Sequence, residues 1–390
     1  MTATDAFTDP DALGPRIARV TTLAGDSAWL ITRYDDVKAV LADLRFGRSH
    51  RDPEQAARVS SSMILGGPSG EFDSEDAERV RMRRLVGPAF SARRMAALQP
   101  RIAGIVDDLL DAMFTGTPPV DLHEAVSFPL PALVICELLG VPYADRDDFR
   151  RWSDDVGNLL DLQRSMSGLD NLWRYMRGLV EAKAAQPEDD VLSLLLTTPH
   201  EGVTMTPDEA AMLGAGLLFA GHETTVTAID GGMVQLLTHP EQRAALRADP
   251  ALIDGAVEEI LRSSRKDLGE LDERRQGLLR YAREDVEFAG VTIAEGDLVL
   301  LGLRTANRDG ARFQQAEQFD VTRAPNPHLS FGFGPRFCLG APLARLELRE
   351  LFGALRRRPD LQLAVPVAEL RPRRDLLTGG LEALPVTWMM

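Results

Sequence analysis

Cysteine is nearly absent: there are two in 390 residues, Cys136 and Cys338. They stand too far apart to suggest a local staple, which excludes a disulfide framework, and without any CxxC spacing a thiolate-rich zinc site lacks ligands. Long apolar runs are missing as well. The longest uncharged apolar stretch, Ala210 to Gly221, falls short of the roughly 18 residues that a membrane-spanning helix needs. The opening segment, MTATDAFTDPDALGPRIARV, has neither a basic leader nor an apolar core. A cytoplasmic chain with no membrane anchor is the expectation. Positive charge is in deficit, with 44 Lys and Arg against 59 Asp and Glu. The net charge of −15 repels polyphosphate and argues against a nucleic-acid partner. Internal repeats, low-complexity tracts and Pro/Ser linkers are also absent, so one domain over residues 1–390 and a monomer are expected.

What is present is the ordinary makeup of a globular protein, 44% hydrophobic and 26% charged. Apolar residues recur at three and four over Asp35–Leu44, Ala77–Leu98, Leu130–Leu139, Thr206–Leu237 and Pro342–Leu355, predicting helices. Strand signals are few and late: Val286–Phe288 and Val291–Ile293 around an Ala289-Gly290 turn, then an apolar run from Leu298 to Leu303. The chain therefore reads as mainly α with small β-sheets. Thr206-Pro207-Asp208-Glu209 has the makings of a helix start: a capping hydroxyl, a first-turn proline and acids that oppose the helix dipole. In the long helix that follows, Gly214, Gly216 and Gly221 each cost about 1 kcal/mol relative to alanine. Close approach of a flat ligand would justify them.

The sharpest chemical signal is the segment FGFGPRFCLG, Phe331 to Gly340, with a helix opening at Ala341-Pro342. Glycines around a lone cysteine let the backbone turn so that amide N–H groups face the sulfur, and the helix N-terminus favours a thiolate. A single soft ligand of this kind suits haem iron in an apolar slot, with Phe331 and Phe337 packed about the sulfur and the porphyrin.

This segment resembles the haem-binding loop of the cytochrome P450 family, Phe-x-x-Gly-x-Arg/His-x-Cys-x-Gly, at every position. The likeness runs from ITRYDDVKAVLADLRFGR to LTGGLEALPVTW, and PALVICELLGVP is similar to the soluble actinobacterial branch. The resemblance implies a triangular prism of helices with haem b between the long central helix and the helix after the cysteine loop, Cys338 being the metal ligand. Ala220-Gly221-His222-Glu223-Thr224-Thr225 is similar to the family's oxygen-binding groove. Ala220 and Thr224 lie one turn apart, Gly221 is expected to leave room for a small ligand, and Glu223 and Thr224 are expected to guide protons. His222 reads as a helical neighbour pointing elsewhere, and Cys136 as core filler. Glu259-x-x-Arg262, completed by Arg323, matches a family triad that supports folding.

For the haem propionates the resemblance offers Arg79, Arg83, Arg280 and Arg336, with Gly340 and Phe331 in the loop. Arg79 and Arg336 stand where many relatives carry histidine. The implied activity is a monooxygenase that hydroxylates, epoxidises or couples a small hydrophobic substrate of secondary-metabolite or antibiotic biosynthesis, with electrons from a ferredoxin and its reductase. A peroxide-driven enzyme and a non-enzymatic haem sensor or carrier are the alternatives, against which the intact acid–alcohol pair argues. Two arginine groups, Arg79 to Arg94 and Arg336 to Arg358, are expected to steer an acidic ferredoxin. The clearest departure is the charged segment from Ser263 to Gln276, which is longer than the turn relatives usually have and lacks proline.

Overall fold

The computed structural model describes residues 15–199, 204–263 and 277–389. The helices are α1 (Tyr34–Ala42), α2 (Glu75–Val86), α3 (Ala92–Thr115), α4 (Pro129–Leu139), α5 (Arg146–Val156), α6 (Leu162–Ala185), α7 (Val191–Thr197), α8 (Pro207–Thr238), α9 (Pro240–Ala248), α10 (Ile253–Ser263), α11 (Leu303–Ala306) and α12 (Ala341–Leu355). Strands β1 (Ile17–Thr21), β2 (Ser27–Ile31), β3 (Phe46–Gly47), β5 (Leu278–Ala282) and β8 (Leu298–Leu301) form one sheet in the order β1-β2-β8-β5-β3. Strands β4 (Val120–Asp121), β9 (Gln362–Leu363) and β10 (Pro385–Thr387) form a second, and β6 (Val286–Phe288) with β7 (Val291–Ile293) a hairpin. The hairpin turns where expected, with Ala289 and Gly290 both at positive φ.

Helix α8 obeys its start signal: the Thr206 hydroxyl accepts from the Glu209 amide while the Glu209 carboxylate accepts from the Thr206 amide. It runs for 32 residues and most of its side chains are buried against α4, α6 and α10. One expected helix is two. The stretch Ala77–Leu98 breaks at Gly87-Pro88, where proline cannot donate to the ladder, and Ser91 caps a fresh helix by accepting from the Arg94 amide. The resulting bend lets α2 lie along the cysteine loop while α3 packs on α12. The apolar run at Leu298 also divides, into β8 and, after Gly302, the short α11.

The core justifies two of the central glycines. A side chain at Gly214 would meet Met176 and Leu192 within 3.2 Å, and one at Gly221 would meet Ile135 Cδ1 at 2.8 Å. Both serve helix packing. At Gly221 the side chain excluded is one that would enter α4 at Ile135. Gly216 has open space beside it.

Candidate active site

Cys338 follows a short helical turn, Gly334–Arg336, reached through Gly332 at φ 71° and Gly334 at φ 70°, values that only glycine adopts without strain. The Cys338 amide closes the loop onto the Phe331 carbonyl at 2.9 Å. Cys338 is exposed as a residue, yet protein crowds its sulfur. That burial pushes the thiol up; the Gly340 and Ala341 amides, with the charges of Arg83 and Arg345, pull it back toward thiolate. Those amides open α12, so the helix start faces its positive end toward the sulfur. Arg345 lies over the Phe331 ring at 4.5 Å, and Phe331 meets Phe337 edge-on at 6.3 Å.

Helix α2 is fastened to this loop. Arg83 Nη1 donates to the Phe337 carbonyl at 2.6 Å, Arg79 Nη1 to the Pro335 carbonyl at 3.4 Å, and Arg336 Nη2 to Glu75 Oε1 at 2.7 Å. Burial works to raise the Glu75 pKa, but donors from Ser49, the Arg48 amide and Arg336 outweigh it and hold the carboxyl at about 2. Behind this lies a concentration of positive charge. Arg280, 3% exposed on β5, has its pKa brought down to about 9 by burial and by Arg48 and Arg336, with Glu75 the acid that opposes the shift. Its Nη1 donates to the Leu279 carbonyl at 2.8 Å. Arg48 is depressed likewise by burial, and its Nε has no partner. A buried guanidinium so placed is a receptor for an anion.

Beyond the first turn of α8 the residues left open are Met212, Gly216, Ala220 and Thr224, a stripe of period four along a largely buried helix. The Thr224 hydroxyl donates to the Ala220 carbonyl at 2.7 Å, which fixes its proton inward and leaves its lone pairs toward the open side. Glu223 is buried, 8% exposed. Burial and then the Asp154 carboxylate raise its pKa to about 7, against Arg373, His123 and a hydrogen bond from Thr378 Oγ1 at 3.2 Å. Its protonation is thus poised near neutrality. His222 is fully buried; its ring sits edge-on to Phe128 and Phe149 with Nδ1 3.4 Å from Glu223 Oε1, and burial lowers its pKa to about 3.

Residues 177–272 and 274–367 match the family model "Cytochrome P450". Pentalenolactone synthase of Streptomyces exfoliatus is 43% identical over 96% of this chain and 93% of its own length. The chain is a cytochrome P450. Mycinamicin IV hydroxylase/epoxidase of Micromonospora griseorubida is 40% identical, covering 95% of this chain and 92% of that relative. Among solved structures, CYP105P1 in complex with filipin I superposes with a TM-score of 0.88 at 35% identity, covering 98% of this chain and 95% of its own. Substrate-free PimD, a pimaricin epoxidase, gives 0.83 at 40% identity over 100% and 96%. The P450 is accordingly a monooxygenase that uses haem b.

The chain's own residues fit that group. Its dianionic edge answers the buried excess of guanidinium at Arg280 and Arg48, and its iron answers the sulfur that the Gly340 and Ala341 amides face. The Glu259–Arg262–Arg323 triad forms as expected. Arg262 grips Glu259 through Nε at 2.8 Å and Nη2 at 2.7 Å, and Arg323 Nε adds a bond at 3.1 Å. Arg262 then holds the carbonyls of Asn307, Ala316 and Gln318. Cys136 is core filler, its thiol pushed up to about 12 by burial. Among the described residues no helix is long and apolar enough to cross a membrane.

Several polar groups escaped the reading of the sequence: Arg48, Glu75, Asp154, Arg373 and the buried pair His123–Asp230, joined at 2.8 Å. Nothing in local spacing marks them, because each partner comes from a distant element. The two arginine groups are largely paired within the chain. Arg81 meets Glu209 and Glu78, Arg345 meets Glu258, Arg349 meets Asp254, and Arg358 meets Asp107 and Asp111. Of the charged segment after Ser263, residues 264–276 lie outside the described residues.

Proposed function

We propose that this P450 oxidises a hydrophobic small molecule of secondary metabolism, taking electrons from a ferredoxin, with Cys338 as the axial ligand of its haem. The observation that carries the reading is the cysteine loop itself, in which the Gly340 and Ala341 amides and the charges of Arg83 and Arg345 all favour a thiolate at one accessible sulfur. Bound haem supplies the redox chemistry that activates O2. The protein's part is placement. Arg280, Arg48 and Arg336 neutralise the propionates, with Arg79 and Arg83 bracing the loop; Phe331 and Gly340 shape the sulfur's surroundings. Ala220 and Gly221 set the backbone of the groove, and Glu223 and Thr224 hold and pass protons into it.

The names of the relatives support the substrate class: pentalenolactone synthase, mycinamicin hydroxylase/epoxidase and a pimaricin epoxidase act in the making of natural products. The open stripe of α8 agrees, being Met212, Gly216 and Ala220 before Thr224. For the electron donor, Arg84 and Arg93 are the exposed members of the basic group on α2 and α3. The test is reconstitution with a ferredoxin, its reductase, a reduced nicotinamide cofactor and a panel of natural products. Incorporation of one atom of O2 into product is expected. Reduction should slow with salt and with Arg84→Glu. Product formation with peroxide but none with ferredoxin and O2 would favour the peroxide-driven alternative.

A further inference from the structure

The acid at the head of α2 is held from three directions. Both Glu75 oxygens accept the Arg48 amide, at 2.8 and 3.0 Å, and Oε2 also accepts the Ser49 amide at 3.0 Å and the Ser49 hydroxyl at 2.5 Å. From the cysteine loop Arg336 Nη2 reaches Oε1 at 2.7 Å, and from β5 Arg283 Nη1 comes within 3.7 Å of Oε2. Gly47 makes room for this approach: a side chain there would meet Glu75 Oε2 at 2.5 Å.

The Glu75 side chain is 9% exposed, against 37% for its neighbour Asp76. The difference matters because water and salt screen an exposed charge and leave a buried one its reach. Asp76, with Arg79 and Arg283, belongs to the wet rim. Behind that rim stand three guanidiniums largely withdrawn from water: Arg48, Arg280 and Arg336, the last with 10% of its side chain exposed. Glu75 bonds Arg336 and is the carboxylate that acts on both Arg48 and Arg280. Three such positive charges against one negative leave a surplus of two, the number that the haem propionates carry.

We propose that Glu75 is a positioning residue for the haem, anchoring Arg336 beside the Arg48 turn and trimming the receptor's charge to match two carboxylates, which keeps the reduction potential of the bound haem down. The inference rests on the assignment of Arg48, Arg280 and Arg336 to the propionates. Reduction adds an electron, so an extra uncompensated positive charge at that edge would favour the ferrous protein, and Glu75 opposes it. Its carboxyl, held at a pKa of about 2, stays ionised at neutral pH, so the setting is a fixed one. A brace alone would need no charge, since a neutral amide oxygen can accept from the same backbone donors.

The test measures the ferric–ferrous midpoint, and the rate of haem transfer to an acceptor protein, in the holoenzyme and its variants. With Glu75→Gln the equilibrium should move about tenfold toward ferrous, about 59 mV for one electron, while the red-shifted carbon monoxide band is retained. Arg336→Gln should move it about as far toward ferric. The double variant should return to within about twofold of the parent, because the two lost charges cancel. Glu75→Asp, which keeps the charge on a shorter arm, should hold the midpoint within about twofold and release haem several times faster. An unmoved midpoint in Glu75→Gln, a double variant that stays where Glu75→Gln put it, or a Glu75→Asp midpoint shifted as far as that of Glu75→Gln overturns the proposal. If Glu75→Gln strands Arg336 and does not fold, the double variant is compared with Arg336→Gln, and the same tenfold step toward ferrous is expected, its absence being the refutation. If Arg336→Gln changes neither midpoint nor haem release, the assignment of Arg336 to the propionates fails instead.

Discussion

A side chain at Gly221 would come within 2.8 Å of Ile135 Cδ1, so this glycine lets α8 and α4 approach. Gly221→Ala should therefore cost stability, about 1–3 kcal/mol from overpacking, with little effect on ligand access to the haem. Denaturant unfolding checks the first part and carbon monoxide binding the second. The double variant with Ile135→Ala should recover part of the loss relative to Ile135→Ala alone. Unchanged stability with altered ligand binding would assign Gly221 to the groove alone.

Glu223 makes stability depend on pH in an unusual direction. Its folded pKa, raised to about 7 chiefly by burial, lies above the ordinary 4.5. Between those values the native state keeps a proton that the unfolded chain has lost, so stability falls as pH rises through this window. The size is about 3 kcal/mol over the full interval. Glu223→Gln removes that term. Relative to the parent protein, the variant should gain stability from about pH 5 to about pH 8, as read by paired unfolding curves.

Arg280 should show opposite signs with and without haem. In the apoprotein a buried, poorly partnered guanidinium is a burden, so Arg280→Met should leave apoprotein stability equal or higher. Haem affinity should drop about tenfold or more, the loss of one charge-assisted interaction. Thermal melting of apoprotein and haem transfer to an acceptor protein give the two readings.

The Glu259–Arg262 pair is fully buried, both side chains at 0% exposure. Glu259→Gln strands the Arg262 charge and should cost about 3–5 kcal/mol. Arg323→Gln, at the pair's rim, should cost about 1–2 kcal/mol. Equilibrium unfolding distinguishes them, and equal losses would mean that Arg323 is as central as Arg262.

Local chemistry made much of this legible. The capping box at Thr206, the Ala289-Gly290 turn and the glycine-bounded Cys338 announce themselves because each signal lies within a few residues. The break at Gly87-Pro88 was missed because apolar spacing continued across it, although a proline cannot continue the hydrogen-bond ladder. The contact of Gly221 with Ile135 was not legible, since spacing on a helix tells which residues share a face and not what that face meets. Asp154 and Arg373 pair only because α5 and the segment at Arg373 meet, a relation no spacing encodes.

Ligation by Cys338 is the claim on which the rest depends, and the ferrous carbon monoxide spectrum tests it most directly. The parent protein should show the strongly red-shifted Soret band of thiolate ligation, because a thiolate donates electron density to iron that a neutral ligand does not. Cys338→Ala should abolish that band even where haem is retained through Arg280 and Arg336. A red-shifted band that survives in Cys338→Ala would contradict the account.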